Sequence, residues 1–70
     1  MPRKIRQLKA DLRAEGCMMR PGKGSHTVWG HPLVPDSVTI PGNDGEDAKP
    51  YLERAVRSLL DKIKKARGDS

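Results

Sequence analysis

Cys17-Met18-Met19-Arg20-Pro21-Gly22-Lys23-Gly24-Ser25-His26-Thr27-Val28-Trp29-Gly30-His31-Pro32-Leu33-Val34-Pro35-Asp36-Ser37-Val38-Thr39-Ile40-Pro41 is the stretch that decides the fold. It holds three short β-compatible runs, Cys17–Arg20, His26–His31 and Ser37–Pro41, with Thr27, Val28, Trp29, Val38, Thr39 and Ile40 supplying the β-branched and aromatic content. Pro21-Gly22-Lys23-Gly24 separates the first two runs, and Pro32-Leu33-Val34-Pro35-Asp36 the second two. Spacers this short close antiparallel hairpins, whereas a parallel crossover needs a dozen or more residues. The expected sheet is a three-stranded antiparallel meander. Prolines 21, 32, 35 and 41 should end strands rather than interrupt them, because proline has no N–H to give the ladder.

Helical patterns flank this stretch. Ile5, Leu8 and Leu12 repeat at i, i+3 and i+7, so residues 4–15 read as a short amphipathic helix, stopped by Gly16. Downstream, Gly42 to Lys49 is a polar, acidic loop, and Pro50 suits a first helical turn, where its missing N–H costs nothing. Leu52, Ala55, Val56, Leu59, Leu60 and Ile63 then form the strongest helical stripe in the chain. Glu53 near its start and Lys62, Lys64, Lys65 and Arg67 near its end match the helix dipole, and Gly68 supplies a stop. The order is helix, three strands, helix. One sheet face must bury against both stripes, which predicts an α+β, α-β-β-β-α two-layer sandwich.

With 70 residues, the chain is expected to form a single domain over 1–70, ending in a basic tail at about 64–70. No apolar run approaches the ~18 residues that span a bilayer, and no contiguous apolar stretch follows the basic N-terminus, so neither a membrane protein nor a secretory signal is expected. The lone Cys17 has no partner for an internal disulfide, which suits a reducing cytoplasm. Lys+Arg 14 against Asp+Glu 9 leave a net charge of +5. That excess favours a polyanionic partner over an acidic small molecule.

Three cations break a rule. Arg3, Lys4 and Arg6 crowd the start of the first helix, where the dipole disfavours positive charge by roughly 0.3–1 kcal/mol each. A helix start built this way suits an anion such as phosphate; the alternative is a frayed, solvated terminus.

Gly22-Lys23-Gly24-Ser25-His26 gathers the parts of a phosphate-directed site. The glycines let backbone approach an oxyanion, Lys23 adds a charge and Ser25 a hydroxyl donor. His26 belongs to the side-chain type that moves protons near neutrality. Cleavage of RNA without a metal needs such a group to take the proton of an attacking 2′-OH, with a cation or backbone donor beside the developing charge. Other chemistries fit less well. The Walker A order fails, and Ser25 and His26, being adjacent in an extended chain, face opposite ways and make a poor nucleophile pair. Zinc would need Cys17, His26, His31 and a carboxylate to converge without a standard spacing, so neither a metal nor another cofactor is expected. His31 lies an odd number of residues from His26; pairing the two would require a bulge, which Gly30 could allow, and the alternative is a structural role at the strand end. Trp29 reads as a core anchor and Met18 and Met19 as fillers of strand surface and core.

Gly16, Gly24-Ser25-His26, Trp29, His31-Pro32 and Val38-Thr39-Ile40-Pro41 together resemble the HicA toxin family, the ribonuclease toxins of HicAB toxin–antitoxin systems. The resemblance covers about residues 4–60. It implies a fold like that of a double-stranded RNA-binding domain, an mRNA endoribonuclease activity with His26 as the catalytic histidine and Lys23 as the basic residue before the motif, and silencing by a HicB-type antitoxin. The chain departs from the family pattern at Cys17, where an aromatic is usual, at Gly42-Asn43, where a His often stands, and at Pro50-Tyr51, where the last helix usually opens with Gly-Thr. The residue inventory suits metal-independent RNA cleavage, and the resemblance implies an endoribonuclease with mRNA as substrate. In it His26 is catalytic, and Lys23, Gly24, Ser25, Arg3, Lys4 and Arg6 contact the substrate. The alternatives are a noncatalytic RNA-binding module of the same fold, and a subunit whose basic face meets an acidic protein.

Overall fold

The computed structural model describes residues 3–68. Its elements follow the expected order: α1 (Ile5–Ala14), β1 (Met18–Pro21), β2 (Thr27–His31), β3 (Val34–Ile40) and α2 (Pro50–Arg67). The strands form one antiparallel sheet in the order β1-β2-β3. This is an α+β fold with a three-stranded antiparallel meander.

Both helices lie on one side of the sheet. Ile5, Leu8 and Leu12 of α1 meet Leu52, Val56, Leu59 and Ile63 of α2 over Trp29, Val38 and Ile40 of the sheet, with Ala48 closing the edge. Each large apolar side chain buried this way contributes about 1.5–3 kcal/mol. The stripe on α2 is narrower than its sequence suggests. Ala55 is exposed and Leu60 half-buried, because they flank the i, i+4, i+7, i+11 line that faces the sheet. Pro50 occupies the first turn and Gly68 caps the end in the left-handed conformation. Of the basic tail expected at 64–70, Lys64, Lys65 and Arg67 ride on α2, and residues 69 and 70 lie outside the described residues. No helix among the described residues is long and apolar enough to cross a membrane.

Three expectations need correction. First, β3 begins at Val34 rather than Ser37, so Pro35 lies inside a strand. A two-residue turn, Pro32-Leu33, replaces the longer spacer, and the register between β2 and β3 slips between Gly30 and His31. Pro35 is tolerated because β3 is an edge strand, where a missing donor need not break a ladder. Second, β1 runs one residue later than expected and includes Pro21, again at an edge. Third, Met18 and Met19 fill no core: they are 67% and 49% exposed, because every residue of β1 lies at the solvated margin of the sheet.

Candidate functional site

The β1–β2 connection presents His26. The His26 N–H donates to the Lys23 carbonyl at 3.0 Å, and the His26 carbonyl accepts from the Gly22 N–H at 2.9 Å. Gly24 sits between them at φ 59°, the left-handed conformation that a tight hairpin turn asks of its first central residue and that glycine adopts at no steric cost. The His26 backbone is therefore held on both sides while its side chain stays exposed.

Among the described residues the ring has one hydrogen-bond partner. Nδ1 lies 3.2 Å from the Lys23 carbonyl oxygen. A carbonyl only accepts, so this contact is a hydrogen bond when Nδ1 carries the proton. In the neutral ring, Nε2 is then the unprotonated nitrogen and can accept a proton. Lys23 and Ser25 are both exposed beside it, and Lys23 makes no ion pair among the described residues.

The turn is braced from behind. Gly42, just past β3, comes so close to Ser25 that a Cβ placed on it would meet the Ser25 carbonyl oxygen at 2.5 Å and the Ser25 Cβ at 2.7 Å. Only glycine fits there. Gly42→Ala should push the turn aside and shift the backbone amide resonances of Ser25 and His26 in a ¹H–¹⁵N spectrum. Gly45→Ala, in the same loop with nothing near its Cβ position, should leave them in place.

The same loop reaches the start of α1. Glu46 and Asp44 carbonyls accept from the N–H groups of Ile5 and Arg6 at 2.9 and 3.2 Å, and the Lys4 carbonyl accepts from Gln7 at 2.9 Å. The N–H groups that would otherwise face an anion are thus taken up by the chain itself. Side chains follow suit: Lys4 pairs with Asp47 and Lys9 with Asp44, both at 2.6 Å, and Arg3 pairs with Asp11 at 2.5 Å. The hydrogen bond that Arg3 donates to Asp11 outweighs the cost of burial and, with the charges of Asp11 and Glu53, holds the Arg3 guanidinium above its ordinary pKa. Arg6 is exposed and has no ion pair among the described residues. Gly42 meets Ser25 and Asp44 bonds Arg6, so the loop that braces the His26 turn also holds the start of α1.

The remaining candidates separate. His31 accepts a hydrogen bond at Nδ1 from the Leu33 N–H at 3.1 Å, which fastens the β2–β3 turn. The slip at Gly30/His31 is present, yet the histidines do not pair. Five strand residues at about 3.3 Å each set them roughly 16 Å apart. Trp29 is 1% exposed, its Nε1–H donates to Thr27 Oγ1 at 2.9 Å, and the Arg13 guanidinium lies 5.3 Å from its ring centroid. It is a core anchor, unable to stack on a base. Burial, helped by the charge of Glu15, pushes the Cys17 thiol up from its ordinary pKa, away from the thiolate form. Among the described residues no three His, Cys, Asp or Glu side chains gather as a metal would require.

Two features of this site escape the sequence: the Gly42–Ser25 contact and the Lys23 carbonyl behind the His26 ring.

The geometry can be set beside known proteins. No curated protein and no solved structure matches the chain significantly. The family model described as the HicA toxin of bacterial toxin–antitoxin systems matches residues 5–67, from the first residue of α1 to the last of α2. A match of that extent includes the Gly-Ser-His turn, its bracing loop and the whole core, and the chain belongs to the HicA toxin family.

Proposed function

We propose that this protein is the toxin of a type II toxin–antitoxin system and that it cleaves mRNA in the cytoplasm with His26 as its proton acceptor. The observation that carries the reading is the placement of His26: Nδ1 on the Lys23 carbonyl, and an exposed ring next to a lysine with no ion pair among the described residues. In the proposed reaction Nε2 takes the proton of a ribose 2′-OH. The 2′-oxygen bonds to the adjacent phosphorus and the bond from phosphorus to the 5′-oxygen breaks. The products are a 2′,3′-cyclic phosphate and, once the leaving oxygen gains a proton, a 5′-hydroxyl. Lys23, the Gly24 backbone and the Ser25 hydroxyl supply positive charge and donors to the phosphoryl oxygens as charge builds on them. Arg3, Lys4 and Arg6 add positive charge near the turn, Arg6 most directly because it makes no ion pair among the described residues. A HicB-type antitoxin, the partner that the family implies, would silence the protein by covering this turn.

No step in this scheme calls for a metal ion. Purified protein should therefore cleave RNA at an unchanged rate in excess EDTA and leave 5′-hydroxyl ends that a polynucleotide kinase can label directly. Activity lost to EDTA and restored by a divalent ion, or 3′-hydroxyl products, would overturn the mechanism. Binding of RNA without any product would favour the noncatalytic module.

A further inference from the structure

The face of the sheet opposite the helices is uncovered, and its make-up follows from the register. Cross-strand partners share a face. Met19, Trp29 and Val38 form one row, and burial of Trp29 and Val38 puts that row on the helix side. The neighbouring rows, Arg20–Val28–Thr39 and Met18–Gly30–Ser37, therefore point the other way. The Gly22–His26 hydrogen bond carries the β1–β2 ladder one step past Pro21 and Thr27, so alternation places His26 on this same uncovered face.

We propose that this face is the track that holds single-stranded RNA on one side of the cleaved bond, with Arg20 as its principal phosphate or base contact. The proposal rests on the cleavage reading above and extends it to how substrate is held. Four observations carry it. Arg20 is exposed and makes no ion pair among the described residues, in contrast to Arg3, Lys4 and Lys9, which are tied to aspartates. The two rows contain no carboxylate; the nearest, Asp36, turns to the helix side and pairs with Lys62 of α2. Ser37 and Thr39 add hydroxyl groups that can donate to phosphate or base edges. Finally, Gly30 leaves a hollow between Met18 and Ser37, part of a groove of about 310 Å³ that also takes in Arg20, Pro35 and Asp36, the last with its carboxylate held by Lys62. The face has no aromatic platform, but a guanidinium plane stacks on bases and a methionine gives an apolar wall. From His26 to Gly30 the face runs about 13 Å, enough to seat more of the strand than the reacting phosphate alone.

The test uses full-length protein carrying His26→Ala, so that a fluorescein-labelled single-stranded RNA of mixed sequence stays intact during anisotropy titration. Adding Arg20→Ala should weaken binding about 5- to 10-fold and lower the slope of log affinity against log salt by about 0.7, the loss of one phosphate contact on a single strand. Adding Gly30→Leu should fill the hollow and weaken binding several-fold. Its new Cβ would meet only the Ser37 Cβ, at 3.8 Å, so the melting temperature should hold. Arg54→Ala, on exposed α2 surface, should change nothing. Unchanged RNA affinity in the Arg20 and Gly30 variants overturns the proposal, and so does loss of antitoxin binding alone, which would make the face a protein surface. The two readings fail separately. If protein with native His26 cleaves RNA and the Arg20 and Gly30 substitutions leave cleavage and binding intact, the track is wrong and the cleavage reading stands. If it never cleaves but binding depends on Arg20 and Gly30, the track stands and the cleavage reading is wrong.

Discussion

His26→Ala abolishes RNA cleavage and the growth arrest that follows from it, and leaves the protein folded. That is the expected result of the most direct experiment on this chain, and the structure gives its size and its control. A side chain that moves a proton in the transition state is worth about 10²–10⁴-fold in rate. The ring is exposed, and its hydrogen bond among the described residues is the 3.2 Å approach of Nδ1 to the Lys23 carbonyl, so its removal opens no cavity. The backbone bonds that hold the turn, Gly22 N–H to His26 and His26 N–H to Lys23, do not involve the side chain. The variant should thus keep the parent's circular dichroism and melting temperature while RNA integrity and growth are followed in parallel. His31→Ala supplies the contrast. It removes the acceptor for Leu33 N–H, costs about 1 kcal/mol, and should leave cleavage near the parent rate, since His31 lies at the far end of β2. Cleavage by purified His26→Ala at the parent rate would end the catalytic assignment.

Trp29→Ala has the largest expected effect on stability. Truncating a fully buried tryptophan costs about 3–5 kcal/mol through lost burial and the cavity left behind. Domains hold roughly 0.05–0.15 kcal/mol per residue, so 70 residues amount to about 3.5–10 kcal/mol in all. The loss is therefore a large share of the total, and the variant should be mostly unfolded at 37 °C, with its urea midpoint moved to low denaturant. Trp29→Phe separates volume from polarity. It keeps an aromatic ring between Met19 and Val38 but loses the Nε1–H bond to Thr27 and the larger ring face beneath Arg13. It should fold with a smaller loss. A near-parent urea midpoint for Trp29→Ala would show that the core does not depend on this residue.

The five elements and their order were legible in residue patterns because those patterns are local. A 3.6-residue stripe such as Leu52, Val56, Leu59 and Ile63 declares its helix without knowledge of the partner surface. The misjudged details are those that depend on neighbours. Pro35 reads as a stop in a chain taken alone, and becomes acceptable only because β3 is at the edge of the sheet. Met18 and Met19 read as partial core, and are exposed because β1 lies where neither helix reaches. The bulge at Gly30/His31 is where the sequence allows one, yet the distance along β2 keeps the histidines apart.

The candidate site divides the same way. Its residue types and the turn that carries them belong to one short segment, Gly22 to His26, and the sequence by itself determined them, together with the helix–three strands–helix order and the positive excess. The tertiary structure decided what those residues can do. It set the His26 ring against the Lys23 carbonyl, packed Gly42 onto Ser25, and tied Lys4 and Lys9 to the acids of the loop beyond β3. It also chose which sheet face stays uncovered, and so gave Arg20 its place beside His26. The reason is physical: periodicity and turn chemistry act over a few residues, while a close approach or an ion pair between residues 17 or 35 positions apart exists only once the chain has folded.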